Sequence, residues 1–205
     1  MEDKIERINT YNDRRFDPEV LKQHGAFLVN EKFVCQFQIF QRTCAVVTWE
    51  GNIDLEALIK EFRFYAEHVT KFYDRNYHLL REYPAISLFR IPLWKIQPSQ
   101  FYVDMDKTKA LKPMIRKPED IIIPINSFGT RYISLDGHTR LYLAVQKGFE
   151  YVSCFFTEDN EICLKFAKEA QRRRVFAPTD LILLPHEEYL IRWVGFCDQF
   201  FQRNN

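Results

Sequence analysis

Alternation governs the early part of the chain. Phe33, Cys35, Phe37 and Ile39 interleave with Val34, Gln36, Gln38 and Phe40. Phe27-Leu-Val29 and Cys44-Ala-Val-Val-Thr-Trp49 flank that run across polar breaks at Asn30-Glu-Lys32 and Gln41-Arg-Thr43. A period of two with one apolar side predicts a small antiparallel meander with one buried face. The charged start ahead of it, ending near Phe16-Asp-Pro18, is expected to be helical. After Gly51-Asn52 the period changes. Leu55, Leu58, Ile59, Phe62, Ala66 and Val69 recur at steps of three and four, with Glu56, Lys60, Glu61, Arg63 and Glu67 opposite. That pattern predicts an amphipathic helix capped by Asn52 or Asp54, and its aromatic residues Phe62, Phe64 and Tyr65, with Phe72 and Tyr73 beyond, read as packing.

A second pattern begins near Tyr83-Pro84. Ile86 to Ile91 and Leu93 to Ile96 read as strand, Pro98-Ser-Gln100 as a turn, and Asp106 to Arg116 as a short helix broken by Pro113. Ile121 to Ile125 and Arg131 to Leu135 read as two strands joined through Gly129. Leu141, Ala144 and Val145 mark a helix stopped by Gly148, followed by a strand over Tyr151 to Phe156. Two helices complete the tail, one with the face Ile162, Phe166 and Ala170, the other with Tyr189, Trp193, Phe196 and Phe200. The expected fold is α+β in two parts. Residues 1–84 form a β-rich module with its helix, and residues 85–205 form a mixed sheet with helices over it.

Composition narrows the function classes. With 29 basic and 28 acidic residues, no global field draws the chain to nucleic acid or an anionic membrane. No apolar run reaches the ~18 residues of a membrane span. Met1 to Arg15 lacks the apolar stretch of a leader, and Cys35, Cys44, Cys154, Cys163 and Cys197 include no Cys-x-x-Cys. The expectation is a cytoplasmic protein with reduced core thiols and no structural metal, its oligomeric state left open. Pro185-His-Glu-Glu188 lacks the second histidine of a zinc motif and is read as a helix start.

One segment points to chemistry. Asp136-Gly-His-Thr-Arg140 joins an expected strand to an expected helix. The first amides of a helix lack internal partners and the aligned dipoles make that end positive, so it suits an oxyanion. Gly137 permits close approach, His138 and Thr139 add donors, and Arg140 can grip two oxygens. Placing Arg140, and a protonated His138, in a first turn is unfavourable by ~0.3–1 kcal/mol for each exposed cation, which something negative should offset. Either Asp136 does so alone, as a cap paired with Arg140, or a bound anion does, leaving Asp136 to hold Mg²⁺ or accept a proton.

On these residues, the stretch from about Ile91 to Phe156 resembles the ParB/sulfiredoxin-like superfamily. Ile96-Gln-Pro-Ser-Gln100 is similar to its early proline motif, Ile123-Pro-Ile125 to its central strand, and Asp136 to Arg140 with Leu141 to Gly148 to its phosphate-binding turn and helix. The whole chain also looks like bacterial ParB-like proteins, which adds no activity. The resemblance implies a nucleotide ligand (ATP, ADP or CTP) with Mg²⁺. His138 stands where sulfiredoxins carry their reactive cysteine, so sulfinic acid repair is not expected. Chromosome-partitioning members carry Gly-Glu-Arg-Arg and a helix-turn-helix, and neither is legible here. The turn is closest to that of the free serine kinases. That likeness implies a nucleotide-dependent phosphotransferase acting on a small hydroxyl compound. Gly137, His138, Thr139 and Arg140 would bind phosphate, Asp136 and Gln100 would serve catalysis, and Ser99 would face the substrate. Gln100 takes the place of the expected glutamate base, and an amide cannot take a proton. The competing class is a DNA-associated module or nuclease, using Arg172-Arg-Arg174 and Lys107 to Lys117. A third is an interaction protein whose turn is merely capped.

Overall fold

The computed structural model describes residues 3–158 and 161–204, the side chains of 203 and 204 apart. The chain divides into two compact units, Met1–Ile86 and Ser87–Asn205, against an expected boundary after residue 84.

The first unit is a six-stranded sheet in sequential order: β1 (Ile5–Arg7), β2 (Ala26–Val29), β3 (Phe33–Phe40), β4 (Cys44–Trp49), β5 (Lys71–Tyr73) and β6 (Leu79–Glu82). Neighbours are antiparallel except β4 and β5, which run parallel. A parallel connection needs a crossover, and helix α2 (Leu55–Tyr65) lies between those two strands in the chain. Asp54 caps α2, accepting the Ala57 N–H at 3.0 Å. The helix stops at Tyr65, so Val69 is buried beyond it rather than on its face. Phe62 stacks on Phe37 with ring centroids 4.2 Å apart, and Phe27 and Phe72 meet both rings edge-on. Those aromatics are core, whereas Phe64 is 82% exposed.

The amino-terminal expectation needs correcting. Residues 5–7 are a strand paired with β2, Ile5 opposite Val29, and the nearby helix is the short α1 (Pro18–Lys22), capped by Asp17. Ile5 turns to the core while Glu6 stays exposed. One alternation over three residues is too brief to stand out among charges.

The second unit holds a five-stranded mixed sheet in the order β7-β12-β10-β11-β8. Its strands are β7 (Phe89–Pro92), β8 (Ile96–Pro98), β10 (Ile122–Phe128), β11 (Arg131–Ser134) and β12 (Tyr151–Phe156). A separate parallel pair joins β9 (Tyr102–Asp104) to β13 (Ile182–Leu184). The helices are α3 (Met105–Leu111), α4 (His138–Gln146), α5 (Glu161–Arg172), α6 (His186–Tyr189) and α7 (Gly195–Asn204), with a π-helical turn at Leu190–Val194 between the last two. The class is α+β. Ile121, Ile122, Ile123 and Ile125 are all buried, as a central strand covered on both faces requires. Phe101 meets Trp193 and Phe196 with centroids at 4.9 and 5.1 Å, which seats the carboxyl-terminal helix. Pro98, expected in a turn, is the last residue of β8, and α3 ends at Leu111. β9 and β13 are absent from the sequence reading because strands of three residues carry too little periodicity.

Among the described residues no helix is long and apolar enough to cross a membrane. The five cysteines are free thiols, and burial raises Cys35 and Cys197 to about 11 and Cys154 to about 12. Thiols so disfavoured as thiolates are poor nucleophiles.

Candidate functional site

Strands β8 and β11 run parallel with Ser134 opposite Pro98, so they end at the same level. The residues that follow, Ser99 on one side and Asp136-Gly137-His138 on the other, are therefore delivered side by side. The carboxyl ends of parallel strands are where α/β sheets commonly receive ligands. Gly137 makes the turn at φ +80°, the left-handed region, and a Cβ there would lie 2.5 Å from Ile123 Cδ1. Only glycine fits both conditions.

Helix α4 starts at His138 with no side-chain cap at Gly137, and its first internal bond runs from Leu141 N–H to the Gly137 carbonyl at 2.9 Å. The amides of His138, Thr139 and Arg140 precede that bond. Asp136 is exposed, and Thr139 and Arg140 are half-buried. The Arg140 guanidinium makes no ion pair or hydrogen bond with any described residue. Among the described residues, then, no ion pair joins Asp136 to Arg140.

His138 is 6% exposed. Its Nε2 lies 3.1 Å from the Ser99 amide and 3.2 Å from each of the Ser99 and Ser134 hydroxyls. An amide N–H can only donate, so Nε2 is an acceptor and the ring proton sits on Nδ1. The Ser99 hydroxyl gives its proton to the Ser134 carbonyl at 2.7 Å, leaving the Ser134 hydroxyl free to donate to Nε2. Burial brings the imidazole down to about 4, with nearby Asp136 opposing. The ring is therefore neutral near pH 7. The protonated His138 expected in the turn is not what this environment supports. It offers instead an Nδ1–H with no partner among the described residues, while its other nitrogen ties Ser99, the residue after β8, to the turn.

Ser99 and Gln100 occupy different places. Ser99 is 5% exposed and belongs to the histidine network. The Gln100 amide donates to the Tyr102 carbonyl and, at 3.4 Å, to the Tyr189 hydroxyl. Burial raises the Tyr189 phenol well above its usual range; the Gln100 hydrogen bond opposes, and the carboxylates of Asp104 and then Asp136 add to the rise. Asp136 and Asp104 thus both lie within electrostatic reach of one phenol.

On the Asp104 side is a cluster that sequence reading misses. Asp104 Oδ2 is 2.8 Å from His186 Nδ1, and its Oδ1 accepts the Asp106 amide at 2.8 Å. Only His186 stood out in the sequence; Asp104 ends a strand of three residues 82 positions away, and Asp106 stands in the first turn of α3. A cavity of about 590 Å³, lined by Trp94, Gly148, Phe149, Tyr151 and Pro178 among others, shares no residue with the turn. In the basic tract, Arg172 and Arg173 both pair with Glu169, and Arg173 also stacks on Phe101 at 4.4 Å.

No family model and no curated protein matches this chain. Among solved structures it is similar to the protein Atu1540 from Agrobacterium tumefaciens, at 18% identity and a TM-score of 0.34, over 47% of this chain and 61% of that one. The similarity thus spans less than two thirds of that protein.

Proposed function

We propose that the chain binds a nucleotide through its phosphates at the Asp136 to Arg140 turn, as a ParB/sulfiredoxin-like protein of the kinase-like type. The observation that carries this reading is the Arg140 guanidinium, without an ion pair or hydrogen bond among the described residues, in the first turn of α4, where Gly137 provides no side-chain cap. In the same turn, the buried His138 keeps an Nδ1–H with no acceptor among the described residues. A cation in that position is unfavourable until an anion arrives. The free amides of α4 and the guanidinium would hold phosphate oxygens and stabilise charge that spreads over them in phosphoryl transfer. Asp136 is the group able to take the proton of a small hydroxyl acceptor or to contact Mg²⁺, since Gln100 is neutral and turned to Tyr189. In the DNA-associated alternative, which rests on Arg172-Arg-Arg174 and Lys107 to Lys117, Arg172 and Arg173 are already paired with Glu169.

The test is calorimetry and thermal shift with ATP, ADP and CTP, with and without Mg²⁺. Binding by the wild type and its loss in Arg140→Ala, with the fold retained, is the expected outcome. Unchanged affinity in that variant rejects the assignment. Duplex DNA binding that weakens steeply with salt, without nucleotide affinity, would favour the alternative.

A further inference from the structure

We infer that Asp104, Asp106 and His186 form a binding site for a divalent first-row transition-metal ion, independent of the nucleotide reading. The site follows from strand register. β9 and β13 are parallel with Asp104 opposite Leu184, so the two strands stop together. Two residues further on, where each chain leaves the ladder, stand Asp106 and His186. Elements distant in sequence thus deliver three metal-ligating side chains to one place, and a ligand atom from each lies within 4.8 Å of the others.

The donor set is held from beneath. Asp104 is 1% exposed, and its carboxylate is oriented by the Asp106 amide on one oxygen and by His186 on the other. Its carbonyl accepts the Thr108 hydroxyl at 2.8 Å, which fixes the start of α3. The 2.8 Å between Asp104 Oδ2 and His186 Nδ1 is close to the ~3.0 Å that separates two ligands at a right angle about a metal ~2.1 Å from each. The cation would take the place of the hydrogen between them, the neutral imidazole then carrying its proton on Nε2. Asp106 is exposed, and its only partner through the carboxylate among the described residues is Lys109 at 3.3 Å. An exposed pair of that kind contributes little, so the third ligand is easily released.

The chemistry of the set selects the ion. Two carboxylates balance a 2+ charge, and a nitrogen donor favours Mn²⁺, Co²⁺ or Zn²⁺ over Mg²⁺ and Ca²⁺, which prefer oxygen throughout. Asp106 and His186 open the site to solvent, leaving further coordination positions for water or a ligand atom.

Mn²⁺ provides the probe. The full chain without nucleotide is titrated while the electron paramagnetic resonance signal of free Mn²⁺ is followed. One ion per chain is expected, not displaced by equimolar Mg²⁺. His186→Ala and Asp106→Asn should each weaken binding at least tenfold with the circular dichroism spectrum of the metal-free protein unchanged; the Tm should hold in Asp106→Asn and fall in His186→Ala, which leaves one oxygen of the buried Asp104 without its partner. Arg140→Ala should leave Mn²⁺ binding intact, which separates this site from the phosphate turn. The inference is overturned if no Mn²⁺ binds, if both ligand variants keep wild-type affinity, or if equimolar Mg²⁺ displaces the ion.

Discussion

His138 serves the fold through a single ring nitrogen. Its Nε2 is occupied by the Ser99 amide, so protonation would set two donors against each other in a buried place. The folded value of about 4 lies below the ordinary 6.5, so the unfolded chain binds the proton more readily over that interval. The associated stability is fully present above pH 6.5 and falls as pH drops towards 4. The linked loss is about 3 kcal/mol, at ~1.4 kcal/mol per pH unit. Urea unfolding of the wild type and His138→Ala at pH 7 and pH 4.5 checks this. The variant, less stable at pH 7, should lose markedly less stability on acidification; parallel losses would mean that the imidazole is not held neutral. The sequence placed His138 in the turn but could not foretell this role, since its neutrality comes from burial and from an amide 39 residues away.

Helix α4 is the element on which stability and binding oppose each other. Arg140 is its third residue, where the dipole disfavours a cation and favours a carboxylate. Arg140→Glu should therefore stabilise the ligand-free protein by about 0.5–1.5 kcal/mol while abolishing phosphate binding. Chemical denaturation beside nucleotide titration measures both. A variant less stable than the wild type would show that the guanidinium supports the fold. This element was readable from sequence, because Asp136-Gly-His-Thr-Arg140 joins a strand pattern to a helical one and Gly148 stops it. β9 and β13 were not, being three residues each; Asp106 was read only as the start of a helix, and its meeting with Asp104 and His186 was lost with the two strands.

At the scale of the whole molecule, the two units keep separate cores. One is centred on Phe27, Phe37, Phe62 and Phe72, the other on the isoleucines of β10 and the apolar face of α4. Between β6 and β7 the chain runs without regular structure through residues 83–88, and Pro84, Ala85 and Ser87 are exposed. Such segments are where proteases cut first. Limited proteolysis should cleave within 83–88 and leave two resistant pieces; early cleavage inside either core would contradict the division. The balanced charge belongs to this scale too, since 29 basic against 28 acidic residues provide no long-range attraction for nucleic acid.

The sequence by itself determined the features whose cause is local. Alternation made the meander, a helical period made α2, and a glycine between strand and helix made the uncapped turn, because backbone sterics and side-chain periodicity act over a few residues. The tertiary structure alone decided which groups meet: Ser99 and Ser134 around His138, Gln100 against Tyr189, and Asp104 against His186. Those encounters depend on which strands run parallel and where they end, and pairing between distant segments is set by the packing of the whole unit rather than by any short stretch of chain.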